Sequence, residues 1–135
     1  MPTEEQKNVV LVEDDARVSK SILALLDSAG FRAVAFPSAE ALLRAMMVAT
    51  AGCLVLDIGL PGLSGFELYQ RLVESDSRLP VIFITGDDNP SAAKRARELG
   101  AVAYLLKPMS GPDLLNAVTG ALRLDRGIGA NQLNN

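Results

Sequence analysis

No histidine occurs anywhere in this chain of 135 residues. The commonest general base and metal-ligating imidazole is therefore missing, and any chemistry must run on carboxylates, hydroxyls and lysines. Cysteine is nearly absent too. Cys53 stands alone, so no internal disulfide can form, and its setting in an apolar run suits a small buried hydrophobe better than a nucleophile. A reducing compartment fits. There is no excess of positive charge: 13 basic residues against 16 acidic ones leave a net charge of -3. That is not the footprint of a module that grips phosphodiester backbones. No apolar run approaches the ~18 residues that a membrane span needs. The N-terminal MPTEEQKN lacks the charged-then-apolar layout of a secretory signal,. The expectation is a cytoplasmic protein with no membrane contact and no direct nucleic-acid binding. Phosphate-cradling loops are missing as well. Neither G-x-x-x-x-G-K nor G-x-G-x-x-G opens a helix, and GIGANQ lies in the tail with no strand before it,.

What is present is an ordinary globular composition, 49% hydrophobic and 21% charged,. A chain of this length is one domain, able to bury roughly two-thirds of its unfolded surface. Five short β-branched runs read as strands: VVLV (9–12), RAVAF (32–36), CLVLD (53–57), VIFIT (81–85) and VAYLL (102–106),. Helical spacing fills the gaps. Val18, Ile22, Leu25, Leu26 and Ala29 form one apolar stripe, stopped by Gly30. Ser38 caps a second helix with Leu42, Leu43 and Met46 inward. Phe66, Leu68, Leu72 and Val73 mark a third helix after Gly65. Asn89 and Pro90 are the N-cap and first position of a fourth, ended by Gly100. Ser110 and Asp113 resemble a capping box for a fifth, with Leu114, Leu115, Val118 and Leu122 on its stripe. Strict β-α alternation with near-continuous apolar strands predicts a parallel sheet covered by helices on both faces. The boundaries expected are a flexible N-terminus (1–7), a folded domain (8–124) and a tail or interdomain linker (125–135).

In doubly wound sheets, ligands sit beyond the carboxyl ends of the strands, at the switch in strand order. The polar residues at the strand ends are Glu13, Asp14 and Asp15 after the first, Asp57 after the third, Thr85 after the fourth and Lys107 after the fifth. Each has an ordinary structural reading. One of Asp14 or Asp15 is a helix cap, Thr85 is a turn residue and Lys107 is a solvated lysine. Together they point to a site, because three strands rarely end in bare polar groups aimed at one crevice without using them. Crowded carboxylates repel one another unless a cation intervenes, and with oxygen donors alone the natural cation is Mg2+. Lys107 adds a second positive group and Thr85 a hydroxyl donor. That set suits a phosphoryl group arriving at Asp57, since such transfer needs mainly positioning and charge neutralisation.

The ordered motifs VVLVEDD, CLVLDIGLPGLSG, VIFITG and VAYLLKP resemble the receiver domain of two-component response regulators over residues 8 to 124, nearest in wording to the branch with C-terminal helix-turn-helix output domains. The resemblance implies a flavodoxin-like sheet of strand order 2-1-3-4-5. It makes Asp57 the phosphoacceptor, with Mg2+ bound by Asp14, Asp57 and the backbone carbonyl of Gly59, and with Glu13 acting largely through water. Lys107, before an expected cis bond to Pro108, pairs with the phosphate, while Thr85 and Tyr104 form the switch. Gly59, Pro61, Gly62 and Gly65 shape a loop that leaves Asp57 open. The implied partners are a sensor histidine kinase or phosphotransfer protein. A receiver dimer or output domain would bind through the fourth helix, fifth strand and fifth helix, where the basic stretch AAKRARE (92–98) lies. No helix-turn-helix domain comes after Leu124, which leaves a stand-alone receiver or a regulator cut at its linker.

Glu13 stands where Asp is commoner in that family, Leu60 where Met is frequent and Gly86 where Ala is frequent, and none of these removes a chemical group. The resemblance also implies that Gly59 and Asp87 hold positions that in this family modulate loss of phosphate. Among rivals, a phosphatase of the haloacid dehalogenase type needs a second Asp where this chain has Gly59. A flavin or nucleotide module lacks its glycine motif, and a degenerate receiver is at odds with the complete acid, Thr and Lys set.

Overall fold

A computed structural model of the chain describes residues 8–45 and 50–126, with side chains through residue 124. Its elements alternate without exception: β1 (Asn8–Val12), α1 (Ala16–Ser28), β2 (Ala33–Phe36), α2 (Ala39–Ala45), β3 (Ala51–Asp57), α3 (Gly65–Glu74), β4 (Val81–Thr85), α4 (Pro90–Glu98), β5 (Ala103–Leu106) and α5 (Gly111–Arg126). The strands form one sheet in the order β2-β1-β3-β4-β5, and every pairing is parallel. This is the expected doubly wound architecture.

Side chains alternate across the faces of a strand, and here the alternation feeds two separate cores. Val10, Val12, Leu54, Leu56, Val81 and Phe83 pack with Leu42 of α2, Phe66, Leu68 and Leu72 of α3 and Ala96 of α4. Val9, Leu11, Cys53, Val55, Ile82 and Ile84 face the other way, onto Ile22 and Leu26 of α1 and Leu114, Val118 and Ala121 of α5. Two helices therefore cover one face and three the other. β3 lies in the middle and is buried over its whole length, which explains why its sequence reads as an unbroken apolar run.

Helix ends follow local chemistry. Asp15 caps α1 through bonds from the amides of Arg17 (2.9 Å) and Val18 (3.5 Å). Ser38 Oγ accepts from Ala41 N at 3.0 Å, Asn89 caps α4 ahead of Pro90, and Ser110 Oγ accepts from Asp113 N at 3.0 Å. Gly30 and Gly100 adopt φ of +89° and +80° just past α1 and α4, the left-handed geometry that closes a helix.

The departures from the sequence-based reading are local. β3 begins at Ala51, two residues early, because pairing of Ala51 with Asn8 holds an Ala-Gly start that has little intrinsic strand preference,. Its register against β1 shifts there. Ala29, placed on the inner stripe of the first helix, is exposed and forms its C-cap. Tyr69 and Ala121 join the core unannounced. α5 continues to Arg126, past the expected boundary at 124. Met46, residues 1–7 and residues 127–135 lie outside the described residues.

α3 ends on a non-glycine in the left-handed region: Asp76 has φ of 65°, with Asp76 N bonded to Val73 O and Ser77 N to Leu72 O. A left-handed L-residue costs about 1–2 kcal/mol, and the extra freedom of an unfolded glycine offsets about 0.5–1 kcal/mol of that. Asp76→Gly is therefore expected to stabilise the fold by roughly 0.5–1 kcal/mol in urea denaturation, and unchanged or lower stability would contradict this account of the turn.

Candidate functional site

The strand order reverses between β1 and β3, so the loops leaving these two strands diverge and open a crevice at the carboxyl edge of the sheet,. Asp57 ends β3 beside it and is only 4% exposed. Its backbone is fixed by the β3–β4 ladder, with Ile58 N on Ile84 O at 2.9 Å. Its carboxylate has two partners: Oδ1 accepts from Gly59 N at 2.9 Å, and Oδ2 from Lys107 Nζ at 3.2 Å. Glu13 comes directly after β1 and is just as deeply buried, at 2%. Its Oε2 accepts from Asp15 N at 3.0 Å, and its Oε1 from Lys107 Nζ at 2.9 Å. One ammonium thus bridges acids from two adjacent strands. Lys107 is itself placed from β4, since its amide donates to Thr85 O at 2.7 Å. The bond to Pro108 is cis, as the resemblance implied.

Burial pushes the Glu13 pKa up. The Asp15 amide and Lys107 oppose that rise, and the neighbouring Asp57 charge adds to it. Burial also disfavours the Lys107 ammonium, but its bond to Glu13 and the charges of Asp57 and Glu13 outweigh this and hold its pKa above 10.5. The lysine therefore stays charged.

Asp14 is exposed, yet a carboxylate oxygen of each of Glu13, Asp14 and Asp57 lies within 4.8 Å of the other two. Three carboxylates against one ammonium leave an excess of negative charge in a partly dry crevice. Such oxygen-only donors, with an open solvent side at Asp14, fit a hard divalent cation that retains waters. Asp15 is the helix cap of the pair, which frees Asp14 for this cluster.

Thr85 ends β4 at 6% exposure, and its Oγ1 accepts from Asp87 N at 3.1 Å. Tyr104 sits on β5 opposite Phe83, its hydroxyl donating to Asn89 O at the start of α4, at 3.5 Å. Gly59 is exposed beside Asp57. Glycine is required further along the same loop. Gly62 has φ of +74°, and a Cβ on Gly65 would come within 2.6 Å of the Asp57 carbonyl oxygen. Helix α3 can begin this close to the acid only without a side chain there. Ser64 and Glu67 then close a reciprocal capping box, a pairing that S-x-x-E spacing announces and that the motif reading passed over. A groove of about 630 Å3 adjoins Lys107 between α1 and the start of α5, lined by Val18, Ile22, Leu25, Met109 and Leu114 among others.

A parallel five-stranded sheet with this acid and lysine cluster at its carboxyl edge defines a phosphorelay receiver, and the chain belongs to the response regulator receiver domain family, whose model matches residues 9–119. Among curated proteins it is 42% identical over 118 residues to Nodulation protein W of Bradyrhizobium diazoefficiens, covering 87% of this chain and 52% of that protein. It is 37% identical to the transcriptional regulatory protein FixJ of the same organism, over 86% of this chain and 57% of FixJ. The chain spans about half the length of these relatives. Among solved structures, response regulator StyR superposes with a TM-score of 0.83 at 34% identity, over 95% of this chain and 65% of that one. Among the described residues, no helix is long and apolar enough to cross a membrane.

The raised Glu13 pKa has a measurable sign. A carboxyl whose folded pKa exceeds its ordinary value of 4.5 binds its proton more tightly when folded. Its contribution is full below that value and is lost as pH rises through the folded pKa. Without divalent cation, wild type is expected to lose stability relative to Glu13→Gln as pH rises above the ordinary carboxyl value of 4.5,, as read from paired urea titrations. A gap that stays constant or moves the other way would refute it.

Proposed function

We propose that Asp57 accepts a phosphoryl group from a phosphohistidine on a separate kinase or phosphotransfer protein, and that the domain then switches a partner or output domain. The observation that carries this reading is the single ammonium of Lys107 shared by Asp57 and Glu13. It holds a positive group against the acceptor before any phosphate arrives. In the transfer, a carboxylate oxygen of Asp57 forms a bond to phosphorus as the bond from phosphorus to the imidazole nitrogen breaks, and the nitrogen keeps the electron pair. Lys107 leaves Glu13 for a phosphoryl oxygen, and the Thr85 hydroxyl turns from the Asp87 amide to donate to another. Glu13, Asp14, Asp57 and the Gly59 carbonyl would hold Mg2+, which when bound neutralises charge building on the phosphoryl oxygens. The apolar groove beside Lys107 suits the docking surface of the donor domain.

A phosphoryl group adds nearly two negative charges. If Thr85 moves toward it, the Asp87 amide loses its acceptor and the β4–α4 connection relaxes, which Tyr104 senses through Asn89. A two-state shift of a few kcal/mol suffices to repopulate such a switch. The surface of α4, β5 and α5, with exposed Lys94, Arg95 and Arg97, is the proposed contact for a second receiver or an output domain. Residues 8–124 are proposed as the receiver, acting in a cytoplasmic regulator, with self-catalysed gain and loss of phosphate as its only chemistry.

Incubation with acetyl phosphate and Mg2+, followed by intact mass, tests the reading. The expected result is a phosphate adduct in wild type that is absent in Asp57→Asn and absent after chelation; an adduct that persists in Asp57→Asn would sink it. Turnover of small phosphomonoesters by the wild type would favour the phosphatase alternative instead. Gly59→Arg is expected to lengthen the adduct's lifetime by crowding the approach of water, and an unchanged decay rate would remove Gly59 from that role.

A further inference from the structure

The loop joining β3 to α3 is pinned at both ends and open in the middle. At its start, Gly59 N holds Asp57 Oδ1. At its end, Gly65 N donates to Ile58 O at 3.3 Å, and Leu60 is buried beneath it at 6% exposure. Pro61 and Gly62 at the crest are exposed. Among the described residues, one side-chain hydrogen bond ties this crest to a different element. Leu63 N donates to Glu40 Oε2 at 3.1 Å, from a residue 23 positions away.

Glu40 lies in the first turn of α2, between the fully buried Ala39 and Leu42, so its backbone is firmly seated. Gly62 is shaped to receive its carboxylate: a Cβ there would come within 2.8 Å of Glu40 Oε2. The amides of Glu40 itself and of Leu63 both favour the ionised form and hold its pKa below the ordinary value, helped by Arg44 and Arg71. No chemistry assigned above uses this residue.

We infer that Glu40 is a positioning residue for the acceptor, a carboxylate latch that fixes the crest of the β3–α3 loop and, through it, the Gly59 amide that orients Asp57. The inference rests on the phosphoacceptor reading given above. The coupling is mechanical. The loop is short, so a shift at Leu63 that its buried Leu60 cannot absorb reaches Gly59. The Gly59 amide is the only donor to Oδ1 among the described residues, so turning it turns the carboxylate that must meet phosphorus.

The test compares the full chain with Glu40→Ala and Glu40→Gln by amide hydrogen exchange at Leu63, by the rate of adduct formation from acetyl phosphate with Mg2+, and by thermal melting. In Glu40→Ala, Leu63 is expected to exchange about tenfold faster or more, as suits loss of a charge-assisted bond. Adduct formation should slow by about tenfold, inside the ~100-fold that an ångström of misplacement can produce. Glu40→Gln keeps an acceptor oxygen and should bring both readouts back to within about threefold of wild type. A Glu40→Ala chain with wild-type exchange at Leu63, or with a freed amide and an unchanged adduct rate, overturns the role. Equal slowing in both variants together with a matching loss of melting temperature does so too, because a general loss of structure then accounts for it. A wild type that takes up no phosphate sinks the phosphoacceptor reading itself, an outcome that the wild-type arm separates from failure of the latch alone.

Discussion

The Lys107 ammonium is the constraint on which the carboxyl edge of this sheet depends. Glu13 and Asp57 are both nearly inaccessible to water, and two ionised acids in such a place repel each other strongly. The lysine touches one oxygen of each. The remaining oxygen of each acid takes a backbone amide from its own loop. Every acceptor that burial makes expensive is thereby satisfied, and no buried side-chain nitrogen or oxygen among the described residues lacks a partner. The arrangement is stable yet incomplete in charge, since Asp14 adds a third carboxylate with no lysine of its own. A site built this way fits a cation, and on the reading proposed above that cation prepares it for a phosphoryl group.

The fold serves that cluster in a specific manner. β1 and β3 supply the acids, β4 the hydroxyl and the carbonyl that seats Lys107, and β5 the lysine itself. Each side chain stands at the end of a strand held on both sides by its neighbours or, for β5, on one. The helices contribute little chemistry but close both faces, so the ends of the strands are what remains open. α3 and α4 are further tied through aromatic contacts: Phe66 meets Phe83 edge-on at 4.7 Å, and the Arg95 guanidinium lies 5.2 Å from the Phe66 ring centre,. The helix adjoining the proposed switch thus rests against the core that backs Asp57.

Much of this was legible in the residues. The strands declared themselves because their β-branched apolar runs alternate with stretches of helical spacing. The caps at Ser38 and Asn89 declared themselves because a capping bond spans three residues or fewer, whereas the choice between Asp14 and Asp15 needed the folded chain. Asp14, Asp57, Thr85 and Lys107 were legible as candidates because each stands at a strand end. Elsewhere, local spacing carries no information. Ala51 enters β3 through pairing with Asn8 of β1, not through its own preference, and Gly52 lies at the register shift that follows,. Tyr69 is drawn into the core by Phe83, whose ring it meets at 6.0 Å. Glu40 looks like any acid in the first turn of a helix, and only the folded chain reveals what its carboxylate touches. The Ser64–Glu67 box could have been found from its spacing alone.

The near contact between Gly65 and the Asp57 carbonyl has a further meaning for signalling. With helix three seated directly on the end of strand three, the acceptor and that helix form a single strut with almost no play between them. On the phosphoacceptor reading proposed above, strain from a newly attached group would pass sideways into the fourth and fifth strands and not along this strut.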